Sequence, residues 1–525
     1  MKPNRTRLLF SIILIISIGI TVKMTLAPSA IAENAPSTEF SAIRAFKHIE
    51  AIAKEPRLTG TESIKKAREY VISELNEIGI EAEVHKSNSL ENIYGIIEGT
   101  NSSDAIMLTA HLDTVYNSPG AADDGSGIAV LLETARALKS NAPYKNTIIL
   151  LFTDGEELWV RGAMEFIRNS SIRDRVKIVV GFDAGGLSGP SILTSTSENN
   201  GWLISQLAKA YPSTLASSMI NIFANSTTDY TLAFRPAGYS GYEFDINMDK
   251  RHHSRDDNID NLNPNSVQDH GNHALALADH FGDLDSLDDP REENVVYFSF
   301  LRLFIISYPI IFGYILAIIL LCMFIKLLYD SIKNKLITLG GILYGAFVCL
   351  MALGLAFLLG ISLNKLLKIE LFMKLNKSLA ESYQAITFMI ITLAFIICWY
   401  AISLKIRKTS PYDMTMGILI PLLIVMLVTS IAFPDIGFAF SWPILFSLLA
   451  CMNWIYKIKK KKKFISVKVG FLLSGIAIIS FVGPYVFMGL HSDISITLVF
   501  TALICGYIYP YILTMLGMDN WIEIV

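Results

Sequence analysis

Apolar and polar positions follow two regimes along this chain, which meet near Asn294. In the first regime short apolar or alternating runs stand between polar, Gly- and Pro-containing stretches. Ile80–His85, Asn92–Gly99, Ala105–His111, Asn146–Thr153 and Lys177–Phe182 have the length and pattern of strands. Ile64–Ile78, Gly127–Leu138, Trp159–Arg168, Gly201–Ala210 and Asn265–Phe281 place apolar residues at helical spacing. Strands and helices that alternate in this way predict an α/β domain over 33–282, a mixed, mostly parallel sheet sandwiched by helices. In such a sheet, ligands gather at the carboxyl ends of the strands.

In the second regime apolar runs are long enough to cross a bilayer. A polar, acidic stretch at 283–296 reads as a linker. Phe298–Leu327, Leu336–Leu363, Ile386–Leu404, Met414–Phe433, Ala439–Ile455, Val467–Met488 and Ile494–Leu516 follow. They predict an all-α, multi-span transmembrane bundle of about seven helices over 297–525. At the other end, basic Met1–Arg7, apolar Leu8–Val22 and the small-x-small Ala30-Ile31-Ala32 make 1–32 a signal anchor or a signal peptide. Either places the α/β domain outside the cytoplasm. Basic Met1–Arg7, Lys326–Lys335, Lys405–Lys408 and Lys457–Lys463 then all face the cytoplasm, with Pro434–Gly437 and His491–Asp493 as short outer turns. Lys365–Gln384 is the exception, a basic segment on the outer side whose mixed pattern fits a helix lying in the interface.

Composition sharpens this division. Of 525 residues 52% are hydrophobic, above the usual share for a soluble domain, and the surplus lies in the second regime. The net charge of -3 gives no reason to expect nucleic acid, since no basic, aromatic-interleaved patch is present. All five cysteines (Cys322, Cys349, Cys398, Cys451 and Cys505) fall in the apolar half. That excludes a disulfide or a Cys-rich zinc site in the α/β domain. The span cores carry almost no charge, which disfavours a proton or ion pathway. They read as a scaffold or docking surface, with Gly341-x-x-x-Gly345 as a helix-packing pattern.

Candidate chemistry clusters at the strand ends. His111 and Asp113 lie two apart, on one face of an extended chain, so a carboxylate can orient the imidazole as a metal ligand. Asp123 and Asp124 precede a run of small residues opening a helix. Glu156 and Glu157 follow the strand ending at Thr153; one can bind a cation while the other holds a water, as metal-assisted hydrolysis requires. Asp183 ends another strand. His252 and His253 lie in a polar loop before the last helix of the domain, and Asn225–Tyr230, with Asp229, is placed to line a pocket. Imidazole and carboxylate without thiolate suit zinc, with cobalt or manganese as alternatives.

In this order, His111-x-Asp113, Asp123-Asp124-Gly125-Ser126-Gly127, Gly155-Glu156-Glu157, Asp183 and His253-Ser254 resemble the dizinc exopeptidase family of bacterial leucyl aminopeptidase and aminopeptidase Y. Pro56-Arg57-Leu58-Thr59-Gly60-Thr61 is similar to an upstream element of that family, and the likeness covers most of 40–281. The resemblance implies two zinc ions, one on His111 and Asp183, the other on Glu157 and His253. Asp123 would bridge them, Asp113 would orient His111, Glu156 would be the general base and Asp229 would line the substrate pocket. Leu158-Trp159 and Ala163 depart from the family pattern, so the likeness does not extend to pocket shape. With a membrane bundle attached, the architecture is similar to the endoplasmic reticulum metallopeptidase and vacuolar membrane protease group.

The resemblance therefore implies a membrane-anchored aminopeptidase, with peptides as substrates and lipid as its surroundings. Two other readings remain at this point. One is a glutaminyl-cyclase-like enzyme, which shares the fold but holds one zinc. The other is a receptor or accessory protein whose peptidase-like domain only binds ligands.

Overall fold

The computed structural model describes residues 5–101, 103–220, 226–249, 251–289, 291–367, 409–460, 465–489 and 494–507, with a few isolated positions besides. The chain divides into two compact units, Leu26–Pro309 and Met1–Thr25 with Ile310–Val525.

The first unit is built on an eight-stranded sheet: β1 (Ala82–Ser87), β2 (Leu90–Ile97), β3 (Ala105–His111), β4 (Thr147–Thr153), β5 (Val176–Asp183), β6 (Ser188–Thr196), β7 (Leu215–Ala216) and β8 (Ser240–Met248). Their spatial order is β1-β2-β4-β3-β5-β8-β6-β7. The central strands β4, β3, β5 and β8 are parallel to their neighbours in that run. The flanks turn antiparallel where β2 meets β4 and β6 meets β8. Every residue of β3 and β4 is buried, because both faces of the sheet are covered. On one face Ile106, Leu108 and Ala110 pack with Ala45, Ile49, Ile128, Leu131, Leu277 and Phe281. Those partners come from helices Ala42–Ile52, Gly125–Asn141 and Pro264–Gly282. On the other face Met107, Ile149 and Val179 meet Phe166 and Phe234.

The strands and helices expected from periodicity are present, with ends shifted by a few residues. Helix Ala42–Ile52 and strands β6 and β8 were not expected. In β8, Ser-Gly-Tyr-Glu-Phe-Asp-Ile-Asn-Met alternates as a strand should, but Glu243 and Asp245 are acidic and nevertheless buried, which hides the strand in a reading based on apolar runs.

The first of the expected spans is corrected. Phe298–Leu327 is not a single span: Val295–Phe300 (β9) and Phe304–Pro309 (β10) form an antiparallel hairpin, and the helix begins only at Ile310. Arg302 explains the difference. It sits in the turn with φ +52°, and its guanidinium forks onto the buried Asp269 carboxylate at 2.6 and 3.0 Å. Tyr297 of β9 joins the main core. The acidic stretch at 283–296 thus leads into a hairpin of the first unit.

In the second unit, five helices among the described residues are long and apolar enough to cross a membrane: Ile310–Lys333, Leu339–Ser362, Pro411–Ala432, Pro434–Lys460 and Ser466–Pro484. Shorter apolar helices run over Ile12–Thr25 and Leu498–Tyr507. Pro434–Gly437, expected as an outer turn, is the first turn of a helix. Gly341 and Gly345 do pack a helix: a methyl on Gly345 would lie 2.7 Å from the Met414 carbonyl oxygen and 3.0 Å from Gly417 Cα. The basic loop Lys365–Gln384 and the spans Ile386–Leu404 and Ile494–Leu516 lie wholly or partly outside the described residues, as do Lys405–Lys408, Lys461–Lys463 and His491–Asp493.

Candidate metal centre

Three parallel strands end side by side, and two of them end on candidate ligands. His111 ends β3 and is in register with Thr153 at the end of β4. Asp183 ends β5. The Glu156–Glu157 turn follows β4, and His253 comes from the loop after β8, with its backbone in the left-handed region at φ +57°.

Two trios result, His111 with Asp123 and Asp183, and Asp123 with Glu157 and His253. His111 Nε2 lies 3.0 Å from Asp123 Oδ1 and 3.9 Å from Asp183 Oδ1. His253 Nε2 lies 3.0 Å from Asp123 Oδ2 and 3.0 Å from Glu157 Oε1. Asp123 therefore offers one oxygen to each trio. Zinc bonds of about 2.0–2.2 Å in a tetrahedron set neighbouring donors roughly 3.3 Å apart, so the nitrogen and oxygen donors present fit zinc. His111, Asp123 and Asp183 are mostly enclosed, whereas His253 is 47% exposed, which leaves one side of the centre open.

The neighbours of these side chains explain their aim. Asp124 caps helix Gly125–Asn141, accepting the Gly127 N–H at 2.8 Å and the His111 N–H at 3.0 Å. A methyl on Gly127 would lie 2.4 Å from that carboxylate. Asp123 is thereby left to face the imidazoles. Asp257 accepts N–H bonds from Ala122 at 2.7 Å and Asp123 at 3.3 Å, and the Ser118 hydroxyl at 3.0 Å. Buried Arg57 donates to the carbonyls of Leu112, Pro119 and Gly120 and fixes the loop between them.

Asp113 lies 3.6 Å from His111 Nδ1 through its carboxylate, but its backbone carbonyl is nearer, at 3.0 Å. The carboxylate instead accepts the N–H groups of Glu156 at 2.9 Å and Glu157 at 3.1 Å. It holds the Glu-Glu turn as well as facing the histidine. Behind Asp183, neutral His270 bonds its carbonyl at 2.9 Å, and burial lowers that histidine to about 4. Asp229 pairs with the Thr153 hydroxyl through one oxygen. Trp159, after the glutamates, is 80% exposed.

Electrostatically the centre is short of positive charge. Burial pushes Asp183 up to about 8, and the Asp123 carboxylate adds to the rise. Burial also raises Glu156 well above the usual carboxylate range, with Asp183, Asp229 and Asp123 pushing the same way against His111. Hydrogen bonds to Asp123 and Glu157 lift His253 to about 10. Burial would raise Asp123, but bonding to His111 and His253 holds it below its ordinary value. No Lys or Arg forms an ion pair with Asp123, Glu156, Glu157 or Asp183 among the described residues.

Asp124 was named in the sequence only beside Asp123, and Asp257 and His270 were given no role, because each acts on backbone groups that only the fold brings near. Asp257 stands four residues after His253 in His252-His253-Ser254-Arg255-Asp256-Asp257, but nothing in that stretch distinguishes it from Asp256.

Residues 92–278 match the model of Peptidase family M28. This segment is a Peptidase family M28 domain. Curated proteins similar to the chain include the human "Endoplasmic reticulum metallopeptidase 1", 25% identical over 343 residues that cover 58% of this chain and 36% of that protein. The "Vacuolar membrane protease" of Candida albicans strain SC5314 is 30% identical over 204 residues, 38% of this chain and 23% of that protein. The chain thus spans about a third or less of the length of these relatives. Among solved structures, an aminopeptidase from Aneurinibacillus sp. strain AM-1 aligns with 49% of this chain and 98% of its own, at 13% identity and a TM-score of 0.42. The M28 domain spans β2 to helix Pro264–Gly282 and holds every candidate ligand.

Proposed function

We propose that the chain is a membrane-anchored zinc aminopeptidase that removes N-terminal residues from peptides, with two zinc ions shared through Asp123. The observation that carries this reading is the division of the Asp123 carboxylate, one oxygen 3.0 Å from His111 and the other 3.0 Å from His253. His111 and Asp183 would hold one ion, Glu157 and His253 the other. Zinc bound there would polarise the scissile carbonyl and acidify the attacking water.

Glu156 supplies the proton chemistry. Its amide is held by Asp113 at 2.9 Å, and its carboxylate shares a recess with His111 and Asp183. Burial raises its proton affinity above that of an ordinary carboxylate, which suits a group that takes a proton from the attacking water and passes it to the leaving amine. The carboxylates of Asp123, Glu156, Glu157 and Asp183, with no Lys or Arg ion-paired to them among the described residues, suit the free amine of a peptide N-terminus. The open side beside His253 admits the peptide, and exposed Trp159 stands near the Glu-Glu turn in sequence. The distribution of basic loops supports an extracytoplasmic M28 domain.

The full-length protein in detergent tests this reading. It should carry two zinc ions per chain, release N-terminal residues from unblocked peptides, spare N-acetylated ones and lose activity to a chelator until zinc is restored. A single zinc with cyclisation of N-terminal glutamine, or internal cleavage of acetylated peptides, would overturn it.

A further inference from the structure

Behind the metal centre, in the recess that Glu156 shares with His111 and Asp183, lies a group of oxygens of which the peptidase reading uses only Asp229, as a lining of the substrate pocket. Thr109, Gly181 and Glu243 stand in one row across β3, β5 and β8: Thr109 is in register with Gly181, and Gly181 with Glu243. The row faces the same side of the sheet as Tyr230, away from the core that takes Tyr242 and Phe244. Gly181 makes the row possible. A methyl there would lie 2.1 Å from Glu243 Oε2, so the Glu243 carboxylate leans over the glycine towards Thr109. Asp229 covers the recess so formed, and His111, Glu156 and Asp183 form its side towards the metal centre.

Four oxygens in this recess are buried without a well-aligned hydrogen bond among the described residues: Thr109 Oγ1, Asp229 Oδ1 and both oxygens of Glu243, which only the Thr228 hydroxyl approaches. All three side chains are at least nine-tenths buried. Burial and the carboxylates of Asp183, Asp245 and Asp229 drive Glu243 away from its charged form, with the Thr228 hydroxyl pulling weakly the other way. Unsatisfied buried groups of this kind are costly. The free volume is about 10 Å³, room for one particle the size of a water.

We propose that this recess binds one alkali cation, Na⁺ or K⁺, through Glu243, Asp229 and Thr109. An all-oxygen donor set selects a hard cation. The recess is too small for the waters Mg²⁺ retains, and the chelator arm of the test below separates an alkali ion from Ca²⁺. A proton on Glu243 would satisfy one oxygen pair, whereas a cation would engage several of these oxygens at once. Such an ion would offset the negative charge that Glu156 and Asp183 meet from behind.

Thermal unfolding of the purified full chain in detergent tests this, in choline, sodium and potassium chloride at equal ionic strength. Each series is run with and without a chelator, so the result does not depend on zinc or on turnover. The midpoint should rise saturably with one alkali cation over choline, and Glu243→Gln should abolish the rise. Thr109→Val, close in shape and lacking the oxygen, should shift its half-saturation to at least several-fold higher concentration and serves if Glu243→Gln does not fold. Equal midpoints in all three salts would overturn the proposal, as would an unchanged response in either variant. A Glu243→Gln protein more stable than the parent, with no alkali response in either, would instead identify a neutral carboxyl and also overturn it. Any of these outcomes leaves the peptidase reading intact.

Discussion

Adjacent carboxylates in this chain are told apart by what the backbone around them demands. Asp124 is consumed by two amides, those of Gly127 and His111, so Asp123 alone turns both oxygens to the imidazoles. Glu156 and Glu157 differ in the same way: Glu157 reaches His253 at 3.0 Å, and Glu156 joins no trio. His111 and Asp183 were legible as strand-end residues, whereas the choice of Asp123 over Asp124 and of Glu157 over Glu156 came from the resemblance, because strand position does not separate neighbours. Glu243 was not legible, because its row with Thr109 and Gly181 exists only through the register of three strands distant in sequence. The residue-scale prediction concerns Glu156. Glu156→Gln keeps the side chain's size and its amide bond to Asp113 but cannot accept the proton. Turnover should fall by about 10²–10⁴-fold, the usual weight of a general base, with zinc content unchanged. Steady-state kinetics beside metal analysis checks this, and turnover within a few-fold of the parent would remove Glu156 from the mechanism.

Among the elements, the sheet and its covering helices could be anticipated where burial is one-sided or complete, since those cases give clean periods. The β9–β10 hairpin could not. Its apolar residues run directly into the helix that starts at Ile310, and length alone reads the whole run as a span. The arginine within it was the contrary signal. Arg302 is 7% exposed and Asp269 is fully buried, and the same carboxylate accepts the Ser191 N–H at 2.9 Å. One fork therefore ties the hairpin to helix Pro264–Gly282 and to β6. Removing one partner of a buried pair leaves the other charge uncompensated, at a cost of about 3–5 kcal/mol. Arg302→Met should destabilise the first unit by that amount in denaturant unfolding. Adding Asp269→Leu should recover most of the loss, because an apolar pair needs no compensation. A single variant within about 1 kcal/mol of the parent, against the usual cost of such a pair, would show that the fork does not hold the hairpin.

For the whole molecule, the question is where the peptidase unit ends. Composition places the boundary near Asn294, where acidic residues give way to apolar ones. The contacts place it at Pro309. Tyr297 is fully buried in the main core, its carbonyl accepts the Ser218 N–H at 2.8 Å, and Phe298 bridges to Ser217. At the other end, Ala30 and Ile31 donate their N–H groups to Asn265 and Gln268 at 2.8 and 2.9 Å. A fragment cut at Glu33 and Asn294 loses all of these and the Arg302–Asp269 fork. Each large apolar side chain withdrawn from the core costs about 1.5–3 kcal/mol, and the orphaned Asp269 about 3–5. Together these approach the roughly 5–15 kcal/mol by which a domain is stable at all. A fragment spanning Leu26–Pro309 should therefore unfold cooperatively and retain metal, while one spanning Glu33–Asn294 should be insoluble or unfold at a far lower denaturant concentration. Matching midpoints for the two would mean that the hairpin belongs with the membrane helices, and that the change in composition at Asn294 marks the true edge of the unit.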